Sequence, residues 1–83
     1  MADEDRNLQL ARLAQLQADA EAVYDKMYNV YTEAEVRFQF ELADESLSAA
    51  WRIAQELGME QESNAIRIRH QHIRDVYRHQ FRR

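Results

Sequence analysis

A chain of 83 residues with no cysteine, no proline and one glycine, Gly58, has room for a single domain and few turns. The missing cysteines exclude a disulfide framework and a thiolate metal site, and the scarcity of turn residues argues against a sheet-rich fold. The formal net charge of −4 is unevenly spread: residues 63–83 carry six of the eleven Lys and Arg but one of the fifteen acids.

The first element is a helix expected over about 5–31. Leu13, Leu16, Ala20, Val23, Met27, Val30 and Ala34 step by three and four residues, which places them on one side of a helix. Tyr24, Tyr28 and Tyr31 add aromatic area beside that seam, for core or interface. Thr32-Glu33-Ala34-Glu35 has the form of a capping box, in which the Thr32 hydroxyl accepts from the amide of Glu35. A new helix then starts after Thr32; one continuous helix is the competing reading, because no glycine or proline forces a break.

The second helix is expected over about 33–57. Val36, Phe40, Ala43, Leu47, Ala50, Ala54 and Leu57 form its main seam. Phe38, Leu42, Ala49 and Ile53 form a second apolar stripe, which needs cover from another helix or another chain. Covering each large side chain is worth about 1.5–3 kcal/mol. Trp51 lies just off the first seam, where an aromatic residue can anchor an interface. Gly58 suits a left-handed helix terminator. The third helix is expected over about 60–82, with Ile66, His70, Ile73, Tyr77 and Gln80 in helical register. His70, on that seam, is expected to be partly buried and hydrogen-bonded.

Val36 to Leu42 alternates apolar and polar, which is also the period of a half-buried strand. Read as a strand, residues 36–70 resemble the ribbon-helix-helix DNA binders: strand, helix Asp44–Leu57, Gly58 and a second helix. That resemblance implies a dimer whose paired strand enters the major groove, with Arg37, Gln39 and Glu41 facing bases. This chain departs from the pattern in having no break after Leu42 and an acid at Glu41. Residues 52–59 resemble the first helix and turn of a helix-turn-helix, with Asn64 where an apolar residue is expected. Residues 54–58 with 73–78 resemble a tetratricopeptide-type hairpin, in a single copy and with longer helices. None of these assigns a family.

Catalytic chemistry has little to work with. The serines, Ser46, Ser48 and Ser63, lie in or beside helices with no glycine elbow, and neither a phosphate loop nor a Glu-x-x-His pair occurs. His72, Asp75 and His79 share a side of the third helix, but the two histidines stand roughly 10 Å apart, too far to chelate one ion by themselves. Neither enzyme activity, cofactor, metal nor small-molecule substrate is expected. Arg67, Arg74, Arg78 and Arg82 form a basic stripe, an anion-binding candidate unless the chain's own acids occupy it.

The expectation is therefore an all-α protein, an antiparallel helical hairpin or three-helix bundle of long helices, dimeric or bound to a protein partner. The alternative is a ribbon-helix-helix with an added N-terminal helix. The expected contact residues are Phe38, Leu42, Trp51 and Ile53, with Tyr24, Tyr28 and Tyr31 beside them. The expected role is a non-enzymatic adaptor or regulatory module; a dimeric DNA-binding regulator is the alternative. The acidic start of the chain and the lack of a long apolar run point to a cytoplasmic protein with no membrane contact.

Overall fold

The structure is a computed structural model that describes residues 2–30 and 32–81. Three helices follow one another: α1, Ala2–Met27; α2, Glu33–Glu56; and α3, Glu60–Val76. A π-helical turn, Tyr77–Phe81, extends α3. No strand occurs among the described residues.

The segment read as a possible strand, Val36 to Leu42, lies inside α2, so the ribbon-helix-helix alternative does not hold. Helical register wins there because the residues alternating on a strand also supply two sides of a helix. Val36 is buried in one direction while Phe38 points out in another. The same register runs on unbroken into Ala43, Leu47 and Ala50, all buried.

The boundaries have visible chemistry. At the end of α1 the backbone tightens, with Tyr28 and Asn29 amides donating three residues back to Asp25 and Lys26. The Asn29 side chain also donates to the Asp25 carbonyl at 3.2 Å, satisfying an acceptor that the helix end leaves free. The helix therefore stops at Met27, before the expected 31, and starts at Ala2 with Asp3, Glu4 and Asp5 in its first turn. Thr32 caps α2 in extended conformation and its hydroxyl accepts from the Glu35 amide at 3.1 Å. The two helices are separate. Because Thr32 opens a new helix, Ala34 leaves the α1 seam and is exposed in the first turn of α2.

Gly58 ends α2 with φ of +70°. The Met59 amide donates to the Ala54 carbonyl and the Gly58 amide to Gln55, a Schellman closure. Ala54 is buried in the core and Met59 packs against it, the apolar contact that accompanies this motif.

α2 packs against both neighbours in a thin, elongated bundle of 48 × 18 × 13 Å. Contacts fix the directions. Gln55 with Ser63, Asp44 with His70, and Phe40 with Tyr77 make α3 antiparallel to α2. Glu21 with Arg69 and Tyr28 with Phe81 make α3 parallel to α1. The core holds Leu13, Ala20, Ala43, Leu47, Ala50, Ile53, Ala54, Ile66 and Ile73. Alanines at Ala20, Ala43, Ala50 and Ala54 are fully buried, so the helix backbones approach closely. The wide π turn places Tyr77 and Phe81 on different partners: Tyr77 stacks on Phe40 at 4.2 Å, and Phe81 meets Tyr28 edge-on at 5.1 Å. Among the described residues, no helix is long and apolar enough to cross a membrane.

Candidate functional site

Two surface features stand outside this core. One is a set of large apolar side chains left in solvent. The other is a groove between α2 and α3.

Phe38 is 57% exposed, Trp51 40% and Tyr28 51%. Leu42 and Ala49 are half-buried. Ile53, on the second stripe and among the expected contact residues, is covered within the bundle and buried in its core. The second stripe of α2 is thus split: its far end turns into the bundle and its near end, at Phe38, stays outside. Tyr24 is half-buried, edge-on to Tyr28 at 5.6 Å, with the two hydroxyls 3.2 Å apart. Tyr31 lies outside the described residues. Leu8 and Ile68, which periodicity did not single out, are more exposed than any of these, at 69% and 64%.

The groove is lined by Ser48, Trp51 and Arg52 from α2 and by Arg67, His70 and Arg74 from α3, and encloses about 440 Å³. Helical spacing explains each wall: Ser48, Trp51 and Arg52 are three and four residues apart, as are Arg67, His70 and Arg74. At one end Asp44 anchors two of these groups. The His70 Nε2 and the Arg74 guanidinium both meet its Oδ1, the latter at 3.3 Å. Toward the α2–α3 turn, the Gln55 side-chain amide donates to the buried Ser63 hydroxyl, and no buried side-chain polar atom among the described residues lacks a partner. At the other end Arg52 and Arg67 are exposed, and neither pairs with a carboxylate among the described residues.

The expected basic stripe is therefore divided. Arg67 and Arg74 enter the groove, and Asp44 neutralises Arg74. Arg78 is exposed on the π turn, outside the groove lining, and Arg82 lies outside the described residues. Arg52 was not among the candidates. Its spacing from Ser48 was visible, but only the register of α3 against α2 brings it opposite Arg67. His70 is half-buried and held by Asp44, in line with its place on the α3 seam.

His72 packs edge-on to Tyr24 at 6.3 Å. Among the described residues, no three His, Asp or Glu side chains gather closely enough to hold a metal ion. Arg69 makes a two-pronged ion pair with Glu21 that joins α3 to α1. Glu21 raises the Arg69 pKa above its ordinary value, against the opposing effect of burial.

No protein-family model, curated protein or solved structure matches the chain. Its chemistry must be read from its own residues.

Proposed function

We propose that this protein is a non-enzymatic interaction module, an adaptor or regulatory subunit that docks on protein surfaces through apolar side chains outside its core. The observation that carries this reading is the exposure of Phe38, Trp51, Tyr28, Leu8 and Ile68 around a core that is already closed. Scattered apolar residues are ordinary on a surface; among the described residues five large ones are exposed, and Phe38 has the half-buried Leu42 one turn away on the same face. The accessible surface points the same way. It is 6016 Å², against about 5,200 Å² for a compact monomer of this mass. A thin bundle of this kind gains most from a second body laid along it.

Phe38, with the half-buried Leu42 one helical turn away, is the centre of the surface in this reading. Replacing Phe38 by Asp leaves the core intact, since Phe38 contributes little to it, and places a charge where the partner must dehydrate. Sedimentation equilibrium over a concentration range is the test. The wild type is expected to assemble, with itself or with an added partner, and the Phe38→Asp variant to lose that assembly while keeping its helical circular dichroism. A variant that assembles as the wild type does would remove this surface from the reading.

A DNA-binding role is the second reading, supported by Arg52 and Arg67, which have no carboxylate partner among the described residues, and by the basic residues 63–83. The acidity of the remaining chain opposes a polyanion. Duplex binding that weakens steeply with salt would favour it. Normal binding by an Arg37→Ala/Gln39→Ala variant would separate it from any ribbon-like contact.

A further inference from the structure

The groove and the start of α1 carry complementary chemistry that one molecule cannot bring together. Arg52 and Arg67 stand beside the exposed face of Trp51 with no carboxylate partner among the described residues, so a ligand for this place needs anions next to an apolar group. The first two turns of α1 present that combination. Glu4 and Asp5 are exposed and form no ion pair among the described residues, and Leu8 is the most exposed large apolar side chain described. Glu4 and Leu8 are four residues apart, hence on one face of the helix. Within the chain this face cannot reach the groove. Asp3, Asp5 and Gln9 border an open hollow with Leu57 at the end of α2, while Trp51 lies six residues, about 9 Å, back along that helix and lines the groove with α3.

We propose that the groove is the docking site for the acidic first turns of α1 from a second copy of this chain, with Leu8 against Trp51 and with Glu4 and Asp5 beside Arg52 and Arg67. This rests on the interaction reading above and names one partner and one contact for it. If each copy offers its α1 to the other's groove, the contact is made twice and the assembly closes as a two-fold dimer. The charge distribution favours that exchange, since the acids dominate residues 1–62 and the bases residues 63–83. Desolvated beside Trp51, the pairs would set register and partner choice more than raw affinity.

Trp51 is the sole tryptophan, so its emission reports on the groove directly. The test follows mass by sedimentation equilibrium and Trp51 emission over the same concentration range, for three proteins. The wild type is expected to dimerise, with its emission shifting to the blue in step with mass and with weaker association at high salt. Arg52→Glu/Arg67→Glu and Glu4→Arg/Asp5→Arg are each expected to weaken dimerisation by at least about tenfold, the equivalent of about 1.4 kcal/mol. All four positions are exposed, and unchanged helical circular dichroism checks that both variants fold. Mixing the two variants is expected to restore a dimer, because each groove then meets an α1 of opposite charge. A wild type that stays monomeric overturns the proposal. So does a dimer that survives both charge reversals, or an emission that ignores the change in mass. Loss of assembly in Phe38→Asp but not in Arg52→Glu/Arg67→Glu would overturn the groove contact while sparing the interaction reading. The opposite pattern would support the groove and remove the Phe38 surface.

Discussion

Arg69 on α3 and Glu21 on α1, 48 residues apart in the chain, meet through two hydrogen bonds, Nε to Oε2 at 2.7 Å and a terminal guanidinium nitrogen to Oε1 at 2.5 Å. The same guanidinium lies 5.0 Å from the centre of the Tyr24 ring. Replacing Arg69 by Met keeps an unbranched apolar stem, shorter than that of arginine, and removes both interactions. Both partners are more than a third exposed, which holds the ion pair itself to the low end of its range. With the ring contact included, the expected loss is about 1 kcal/mol in a urea unfolding curve. The difference between wild type and variant should shrink in high salt.

Tyr24 links stability to alkaline pH. Its pKa is pushed up to about 12 from 10.0, first by the hydrogen bond with the Tyr28 hydroxyl and then by burial. A raised folded-state pKa means that the neutral phenol contributes stability. That contribution is complete below pH 10 and is lost as pH rises toward 12. Phenolate absorbance should therefore include a late step from Tyr24. In Tyr28→Phe that tyrosine is expected to titrate nearer pH 10, and stability should fall less between the two pH values.

The packing of the helices tolerates little change in volume. Ala43 is fully buried, so Ala43→Leu must push helices apart, at a cost of about 1–3 kcal/mol. Ile73 is also fully buried, and Ile73→Ala is expected to cost about 2–5 kcal/mol. Thermal unfolding should show both variants well below the wild type. An Ala43→Leu protein as stable as the wild type would contradict the close approach described above.

The two connections can be tested separately. A Cβ at Gly58 would meet nothing within 4 Å, so Gly58→Ala carries only the conformational strain of φ at +70°. For a non-glycine residue that strain is about 1–2 kcal/mol. Thr32→Ala removes the cap on the Glu35 amide and is expected to cost about 1 kcal/mol. The two sites share no partner, so the double variant should show the sum in denaturant unfolding.

Local chemistry was legible from the residue order alone. Three- and four-residue spacing marks the buried positions Leu13, Ala20, Met27, Val36, Leu47, Ile66 and Ile73, because each helix must hide one side from water whatever lies opposite. Thr32 and Gly58 mark the breaks because capping and left-handed backbone depend on neighbours within a few residues. Tertiary structure decided what local rules leave degenerate. The alternation from Val36 to Leu42 suits a strand or a two-sided helix; in the structure it lies inside α2, which packs against both α1 and α3. Ile53 and Phe38 belong to one stripe by periodicity, yet one is buried and the other exposed, because the packing covers only part of that stripe. The groove is the clearest case: Arg52 and Arg67 become neighbours through the register of α3 on α2, a long-range relation that no helical period encodes.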